Sequence, residues 1–319
     1  MTDGSPQIAR RDLMRGASAA MVTLAYAGKA HAIAPSAPPF ATRFAPALNA
    51  FRELGGPDIP GRLQWMKAHG FRAIEDNPCR RRPVAEQELI GQTLADLGME
   101  MGVFVAGRWA GEHRGEGPDV PPLTGGGEDA MKAFVTGIRE SLPVAARTGA
   151  KRMTVFPGVK SPQLSHDRQM ANVIEGMKRA ADVCAAADVT MVLEPLNTRV
   201  AYSLSFMTSP DEAYAICKAV GSPACKILFD FWHVQIEHGH LLATLDSVWD
   251  EVGYVQYGDN PGRKEPGTGE INYATITRHL WSKGYRGIIG MEHGQSIPGA
   301  EGERAVIAAY AALDDEARK

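Results

Sequence analysis

The sequence predicts an α/β fold, a closed (β/α)8 barrel of the TIM-barrel type, and three observations support this prediction. Eight short runs rich in β-branched and aromatic residues alternate with amphipathic segments. The runs are apolar on both faces, which is typical of parallel strands covered by helices on both sides. A length of 319 residues suits such a barrel as one unit.

The predicted strands are RFAPALN (43–49), FRAIED (71–76), MGVFVAG (101–107), RMTVFPG (152–158), TMVLEPL (190–196), KILFDF (226–231), GYVQYGD (253–259) and GIIGMEH (287–293). Helix signals lie between them, such as the stop at Gly98 and the cap plus first-turn proline at Ser209-Pro210. A doubly wound open sheet is the alternative. It normally carries a glycine-rich turn after its first strand, and FAPALNAFREL (44–54) contains no glycine.

The N-terminal 32 residues indicate an export signal rather than part of the fold. Arg10 and Arg11 precede a short apolar run, and AHA (30–32) offers small residues for a cleavage site. We therefore predict a twin-arginine signal peptide at 1–32, a linker at 33–42 and a single TIM-barrel catalytic domain at 43–319. The protein is then periplasmic and a client of the twin-arginine export machinery. A disordered basic tail is the alternative.

Composition excludes several classes of protein. Thirty-four basic residues against 37 acidic residues give a net charge of -3, which argues against a nucleic-acid binder. The N-terminal apolar run is too short for a stable membrane span. The four cysteines show no CxxC spacing, so a zinc ribbon is not expected, and disulfide pairing stays open.

Metal-competent oxygen donors stand near the ends of four consecutive predicted strands. They are Glu194, Asp230, Gln256 and Glu292. In a barrel these strand ends surround one mouth, and carboxylates buried side by side need a positive charge among them. Three carboxylates and an amide oxygen favour a hard divalent ion, Mn²⁺ or Mg²⁺. Any one acid alone could instead be a helix cap or a salt-bridge partner.

Four motifs resemble the hydroxypyruvate isomerase family, within the xylose-isomerase-like TIM barrels that also hold the tagatose and psicose 3-epimerases. They are VLEPLNTR (192–199), FDFWHVQIEHGHL (229–241), VQYGDNPGRKEPGTGEINY (255–273) and GIIGMEHG (287–294), and the likeness covers about residues 43–295. The resemblance implies metal ligands at the same four donors. It also implies that His233 and Arg263 polarise the substrate.

The activity implied is isomerisation or epimerisation of a small hydroxycarbonyl compound or keto-sugar through a metal-stabilised enediolate. Glu194 and Glu292 are the candidates for the two proton-transfer residues. Asn197, Arg199 and Trp232 are expected to contact substrate because they lie close by in sequence. His233 could instead be a satisfied core histidine, and Arg263 a solvated loop charge.

Three other functions are alternatives to this one. A lyase cleaving 3-oxo-glycosides would use the same proton abstraction, followed by elimination. A non-catalytic periplasmic sugar-binding barrel would not need glutamates on strands five and eight. An apurinic-site endonuclease would need a basic groove. The sequence does not decide between a monomer and a homo-oligomer. The long segment at 108–127 is expected to act as a lid.

Overall fold

The computed structural model describes residues 40–107 and 121–319. The predicted signal peptide, most of the linker and residues 108–120 of the expected lid lie outside the described residues. Within the described ranges, no helix combines the length and the apolar character needed to cross a bilayer.

All eight predicted strands are present. They are β1 (Arg43–Pro46), β2 (Ala73–Ile74), β3 (Glu100–Met101), β4 (Arg152–Val155), β5 (Thr190–Leu193), β6 (Cys225–Asp230), β7 (Val252–Tyr257) and β8 (Ile288–Met291). Six form one parallel sheet in the order β1-β8-β7-β6-β5-β4, and β2 pairs with β3. Parallel bridges from Ala47 to Glu75 and from Val105 to Thr154 join these two sheets. The ring is thereby closed, and the predicted barrel is confirmed.

Ten α-helices of the described chain surround the strands. They are α1 (Arg52–Gly55), α2 (Ile59–Ala68), α3 (Val84–Leu97), α4 (Glu128–Thr148), α5 (His166–Ala186), α6 (Pro210–Val220), α7 (Phe231–Glu237), α8 (Leu241–Ser247), α9 (Tyr273–Ser282) and α10 (Gly299–Ala317). Ser209 and Glu212 form a reciprocal capping box at the start of α6. Gly98 ends α3 in the left-handed conformation that glycine adopts without steric cost.

The four cysteines are buried thiols. The Sγ atoms of Cys217 on α6 and Cys225 on β6 lie 3.8 Å apart.

The barrel interior is built in layers, and the layering explains where the polar strand ends point. Seven buried side chains form the lower interior cluster: Ala45, Ala73, Val103, Val192, Leu228, Tyr254 and Ile288. Successive side chains of a strand alternate between its two faces, so residues two positions further on point inward again. On four strands these next inward residues are polar: Glu75, Glu194, Asp230 and Gln256. The same alternation therefore fills the lower barrel with apolar groups and places oxygen donors at its C-terminal mouth.

Candidate active site

The four predicted ligands lie at the C-terminal ends of β5 to β8. Asp230 is the last residue of β6 and Gln256 lies near the end of β7. Glu194 and Glu292 directly follow β5 and β8. Glu194, Asp230 and Gln256 are at most 4% exposed, so these polar groups are held inside the barrel mouth.

His233 lies beside two of the carboxylates. Its Nε2 is 3.6 Å from Glu194 Oε1 and 3.8 Å from Asp230 Oδ2. Its position follows from local folding, because Asp230 caps α7 by accepting the backbone N–H of Trp232 at 2.8 Å, and His233 sits in the first turn. A suitable ligand atom from each of Glu194, Asp230 and His233 lies within 4.8 Å of the others.

The hydrogen bonds of His233 define its tautomer. The backbone N–H of Asn197 donates to Nδ1 at 2.8 Å, so Nδ1 is the unprotonated nitrogen. Burial, with a contribution from Arg263, lowers the pKa of His233 well below its usual value. The neutral ring then carries its proton on Nε2, which makes that atom a hydrogen-bond donor rather than a metal ligand.

Arg263 is the cation that meets the carboxylates. Its Nη2 atom is 2.8 Å from Asp230 Oδ2 and 3.1 Å from Glu292 Oε2. The guanidinium carbon lies 4.3 Å from the ring centroid of Trp232, a cation–π contact. Burial alone would lower the pKa of Arg263. The negative charges of Glu292, Asp230 and Glu194 outweigh burial, so the pKa of Arg263 is raised.

The loop that carries Arg263 is tied to the end of β7. The carboxylate of Asp259 accepts backbone N–H groups from Asn260, Gly267, Gly269 and Ile271 at 2.8–3.0 Å. Arg263 has φ 49°, a left-handed conformation that is costly for a residue with a side chain. The surrounding hydrogen bonds hold it there.

Asn77 and Glu75 belong to the site, although the sequence did not identify them as members. Asn77 Nδ2 donates to Glu292 Oε1 at 3.0 Å. Glu75 is 2% exposed, and its Oε1 accepts a hydrogen bond from Gln256 Nε2 at 3.1 Å. The predicted strand FRAIED (71–76) ends in two acids, and this acidic end is the sequence feature that could have identified Glu75. Its other acid, Asp76, forms a two-pronged ion pair with Arg82 instead.

The predicted substrate residues are distributed unevenly. Trp232 lies beneath Arg263, and its buried Nε1 has no hydrogen-bond partner in the described ranges. Asn197 is buried, and its side-chain oxygen accepts backbone N–H groups from Val200 and Ala201. The exposed Arg199 donates to the carbonyl of Glu237 at the end of α7. The structure therefore brings Trp232, His233 and Arg263 together and places Arg199 at the outer end of α7.

A cavity of about 310 Å³ opens beside this cluster. Its lining includes Asn49, Glu75, Asn77, Arg263, Glu292 and His293. The size falls within the range of small-molecule sites. On the His233 side, the half-buried ring of Tyr202 has its centroid 5.7 Å from the His233 ring. Burial, with Glu194 and Glu292, raises the pKa of Tyr202 to about 12.

Burial perturbs the ionisation of the acidic cluster. It raises the pKa of Glu75 and of Glu194 well above the usual range, and Glu292 adds to both effects. Burial also raises the pKa of Asp230 to about 7, against the pull of Arg263. These carboxyls crowd one another with one guanidinium among them, so a further cation would relieve the repulsion.

We expect the metal-free protein to lose stability as pH rises from 7 to 8. In this pH range Glu75 and Glu194, and partly Asp230, bind protons in the folded state that they have released in the unfolded state. The free energy of unfolding therefore falls as pH rises. Each such proton contributes about 1.4 kcal/mol per pH unit. The buried His233 and His293, whose pKa values are lowered by burial, oppose this loss only weakly, because an unfolded histidine is already mostly neutral above pH 7. Thermal unfolding in chelator at pH 7.0, 7.5 and 8.0 measures this, and a level or rising Tm would contradict it.

Comparison with known proteins agrees with this architecture. Residues 63–313 match the family model described as xylose isomerase-like TIM barrel. The chain is 31% identical over 251 residues to a human putative hydroxypyruvate isomerase, covering 76% of this chain and 86% of that protein. It is 32% identical over 228 residues to the 2-oxo-tetronate isomerase of Cupriavidus necator, covering 71% and 83%.

Among solved structures, a family 2 AP endonuclease from Brucella melitensis is similar, with a TM-score of 0.71 and 25% identity. The match covers 84% of this chain and 99% of that one. The family match spans well over half of the sequence, and the fold and the positions of the strand-end donors are consistent with it. The chain belongs to the xylose isomerase-like TIM barrel family.

Proposed function

We propose that this protein is a divalent-metal-dependent isomerase or epimerase of a small hydroxycarbonyl compound or keto-sugar. The observation that carries the proposal is the convergence of two glutamates, Glu194 and Glu292, with Asp230 and Gln256 at one barrel mouth beside a small-molecule cavity. The relatives named hydroxypyruvate isomerase and 2-oxo-tetronate isomerase support the enzyme class and the type of substrate.

The residues present fit a divalent cation. Gln256 Oε1 is a buried acceptor without a hydrogen-bond partner in the described part of the chain. The carboxyls of Glu194 and Asp230 are buried side by side and their pKa values are raised by burial, so a cation among them would favour their ionised forms. Glu194, Asp230, Gln256 and Glu292 would hold the cation, and this all-oxygen set favours Mn²⁺ or Mg²⁺. When bound, the cation would act as a Lewis acid and acidify the substrate C–H bond next to the carbonyl.

The two glutamates supply the proton transfer. Glu194 and Glu292 come from strands separated by β6 and β7, so their carboxyls can face different sides of a small substrate. One removes the proton next to the carbonyl, and the other delivers a proton to the neighbouring carbon or to the opposite face. Asn77 and Arg263 each hold one oxygen of Glu292, which keeps this carboxylate oriented toward the cavity.

Two further groups can stabilise the negative charge that develops on a substrate oxygen. The Nε2–H of His233 and the guanidinium of Arg263 both face the acidic cluster. Fixed donors of this kind stabilise a charged oxygen without having to reorganise during the reaction. The fixed loop around Asp259 and the Trp232 ring beneath the guanidinium support the placement of Arg263.

The proposal extends to location. The paired arginines and the small residues before position 33 support export by the twin-arginine route and a periplasmic location. Fusion of residues 1–42 to a reporter that is active only after folded export tests this. Arg10→Lys with Arg11→Lys should abolish export, and export of the doubly substituted fusion would contradict the assignment.

The substrate class can be tested by product identification. Manganese-loaded protein is incubated with hydroxypyruvate, 2-oxo-tetronate, a panel of ketoses and a 3-oxo-glucoside, and the products are resolved by NMR. We expect an isomer or epimer that retains every substituent. Release of an aglycone from the glucoside, with no isomer from any other compound, would establish a lyase instead.

A further inference from the structure

We infer that Glu75 is a positioning residue that fixes which end of the Gln256 amide faces the cation. This inference rests on the proposed function, because it takes Gln256 to be a ligand. Glu75 comes from β2 and Gln256 from β7, and the order of strands around the ring is β2, β1, β8, β7. The contact therefore crosses the inside of the barrel in front of two intervening strands.

The amide of Gln256 has a donor end and an acceptor end, and only the oxygen can bind a cation. Its Nε2 donates to Glu75 Oε1 at 3.1 Å, inside a region where both side chains are at most 2% exposed. Its Oε1 is left buried without a hydrogen-bond partner in the described ranges. The Glu75 carboxyl offers Nε2 an accepting oxygen whether it is ionised or protonated, so the contact favours the rotamer that presents the Gln256 oxygen to the ligand cluster.

Gly290 provides the space for this contact. A Cβ atom at position 290 would lie 1.8 Å from Glu75 Oε1 and 2.8 Å from Gln256 Cγ. Position 290 on β8 faces the same layer as Glu75 and Gln256, so any side chain there would push the carboxylate away from the amide. Gly290 is not among the positions with positive φ, so its backbone conformation does not require glycine. The space needed by the Glu75–Gln256 contact does.

The test measures Mn²⁺ affinity by calorimetry on chelator-stripped protein. Glu75→Leu keeps the bulk but removes the acceptor, and we expect the Kd to rise about 10–100-fold, as for other residues that orient metal ligands. Glu75→Gln still offers an oxygen to Gln256 Nε2, so its Kd should stay within about threefold of the unmodified value. Gly290→Ala, which retains Glu75 but displaces it, should weaken binding about tenfold.

A matched control separates orientation from general damage. Glu303 is also buried, and its carboxylate accepts backbone N–H groups of Glu53 and Leu54 at 2.9 and 2.8 Å. Glu303→Leu should lower Tm and leave the Mn²⁺ affinity unchanged. Cooperative thermal unfolding of every variant establishes that it is folded.

A double-mutant cycle with Gln256→Leu completes the test. If Glu75 acts through Gln256, Glu75→Leu should have no further effect on Mn²⁺ affinity once Gln256 is replaced. Equal losses for Glu75→Gln and Glu75→Leu would instead make Glu75 a charge acting directly on the ion and overturn the inference. Unchanged affinity in Glu75→Leu would overturn the inference alone. A parent protein that binds no Mn²⁺ would overturn both the metal assignment and the role of Glu75.

Discussion

Replacing Glu292 by glutamine should lower kcat on the best substrate by about 10²–10⁴-fold, the usual contribution of a positioned acid or base. The substitution retains the size of the side chain and an oxygen that can accept from Asn77 Nδ2. It removes the group that takes up or returns a proton at the substrate carbon. Steady-state kinetics in Mn²⁺ measures the effect, and the bound substrate should still protect the variant from thermal unfolding.

Glu251→Gln is the control for this experiment. Glu251 is a buried glutamate immediately before β7, at the opposite end of the barrel, and it pairs with Lys226 and Lys218. Its substitution should lower Tm while kcat stays within about twofold, because groups at the N-terminal face of such barrels serve stability. A kcat of Glu292→Gln within tenfold of the unmodified enzyme would rule out Glu292 as a proton-transfer group.

Removing the divalent cation should abolish turnover and lower the thermal stability together. Turnover depends on the ion to acidify the substrate C–H, and stability depends on it to offset the repulsion among Glu194, Asp230 and Glu292. At an ion concentration 100 times Kd, binding stabilises the fold by about 2.7 kcal/mol. Dialysis against chelator, with the residual metal content measured, should reduce activity by more than about 100-fold, and Mn²⁺ or Mg²⁺ should restore it.

Asp230→Asn provides the matched variant for the cation experiment. It retains an oxygen that can cap α7 through the Trp232 N–H but removes one charge from the ligand set. We expect weaker Mn²⁺ binding and a smaller rise in Tm on adding the ion. Full activity in protein whose metal content has been shown to be negligible would contradict a metal-dependent reaction.

The fold was predictable because local and global signals agree along this chain. Each strand is a short apolar run, and helices start and stop at residues with a clear local reason, such as Ser209 and Gly98. The short strands β2 and β3 are extended by bridges at Glu75 and Val105, which a sequence pattern does not specify. Strand order and closure follow from the preference of parallel strands for right-handed connections between neighbours.

The site was predictable where function depends on strand ends and was not predictable where it depends on contacts across the barrel. Asp230 and Gln256 occupy inward positions that alternation fixes, so their convergence follows from the fold. Asn77 reaches Glu292 from the turn after β2, more than 200 residues earlier in the sequence, a pairing without a local signal. Arg199 is the opposite case. It is close to Glu194 in sequence, but its side chain lies at the outer end of α7 rather than in the cluster.

The most direct test of the central claim is the fate of the substrate C–H during one turnover in deuterated water. Manganese-loaded enzyme is mixed with the best hydroxycarbonyl substrate, and NMR follows the carbons next to the carbonyl. We predict that deuterium enters the product at one of these carbons, that no substituent is lost, and that Glu292→Gln suppresses the exchange. Product formation with no deuterium incorporated and no primary isotope effect for substrate deuterated at that carbon would contradict proton transfer by the two glutamates.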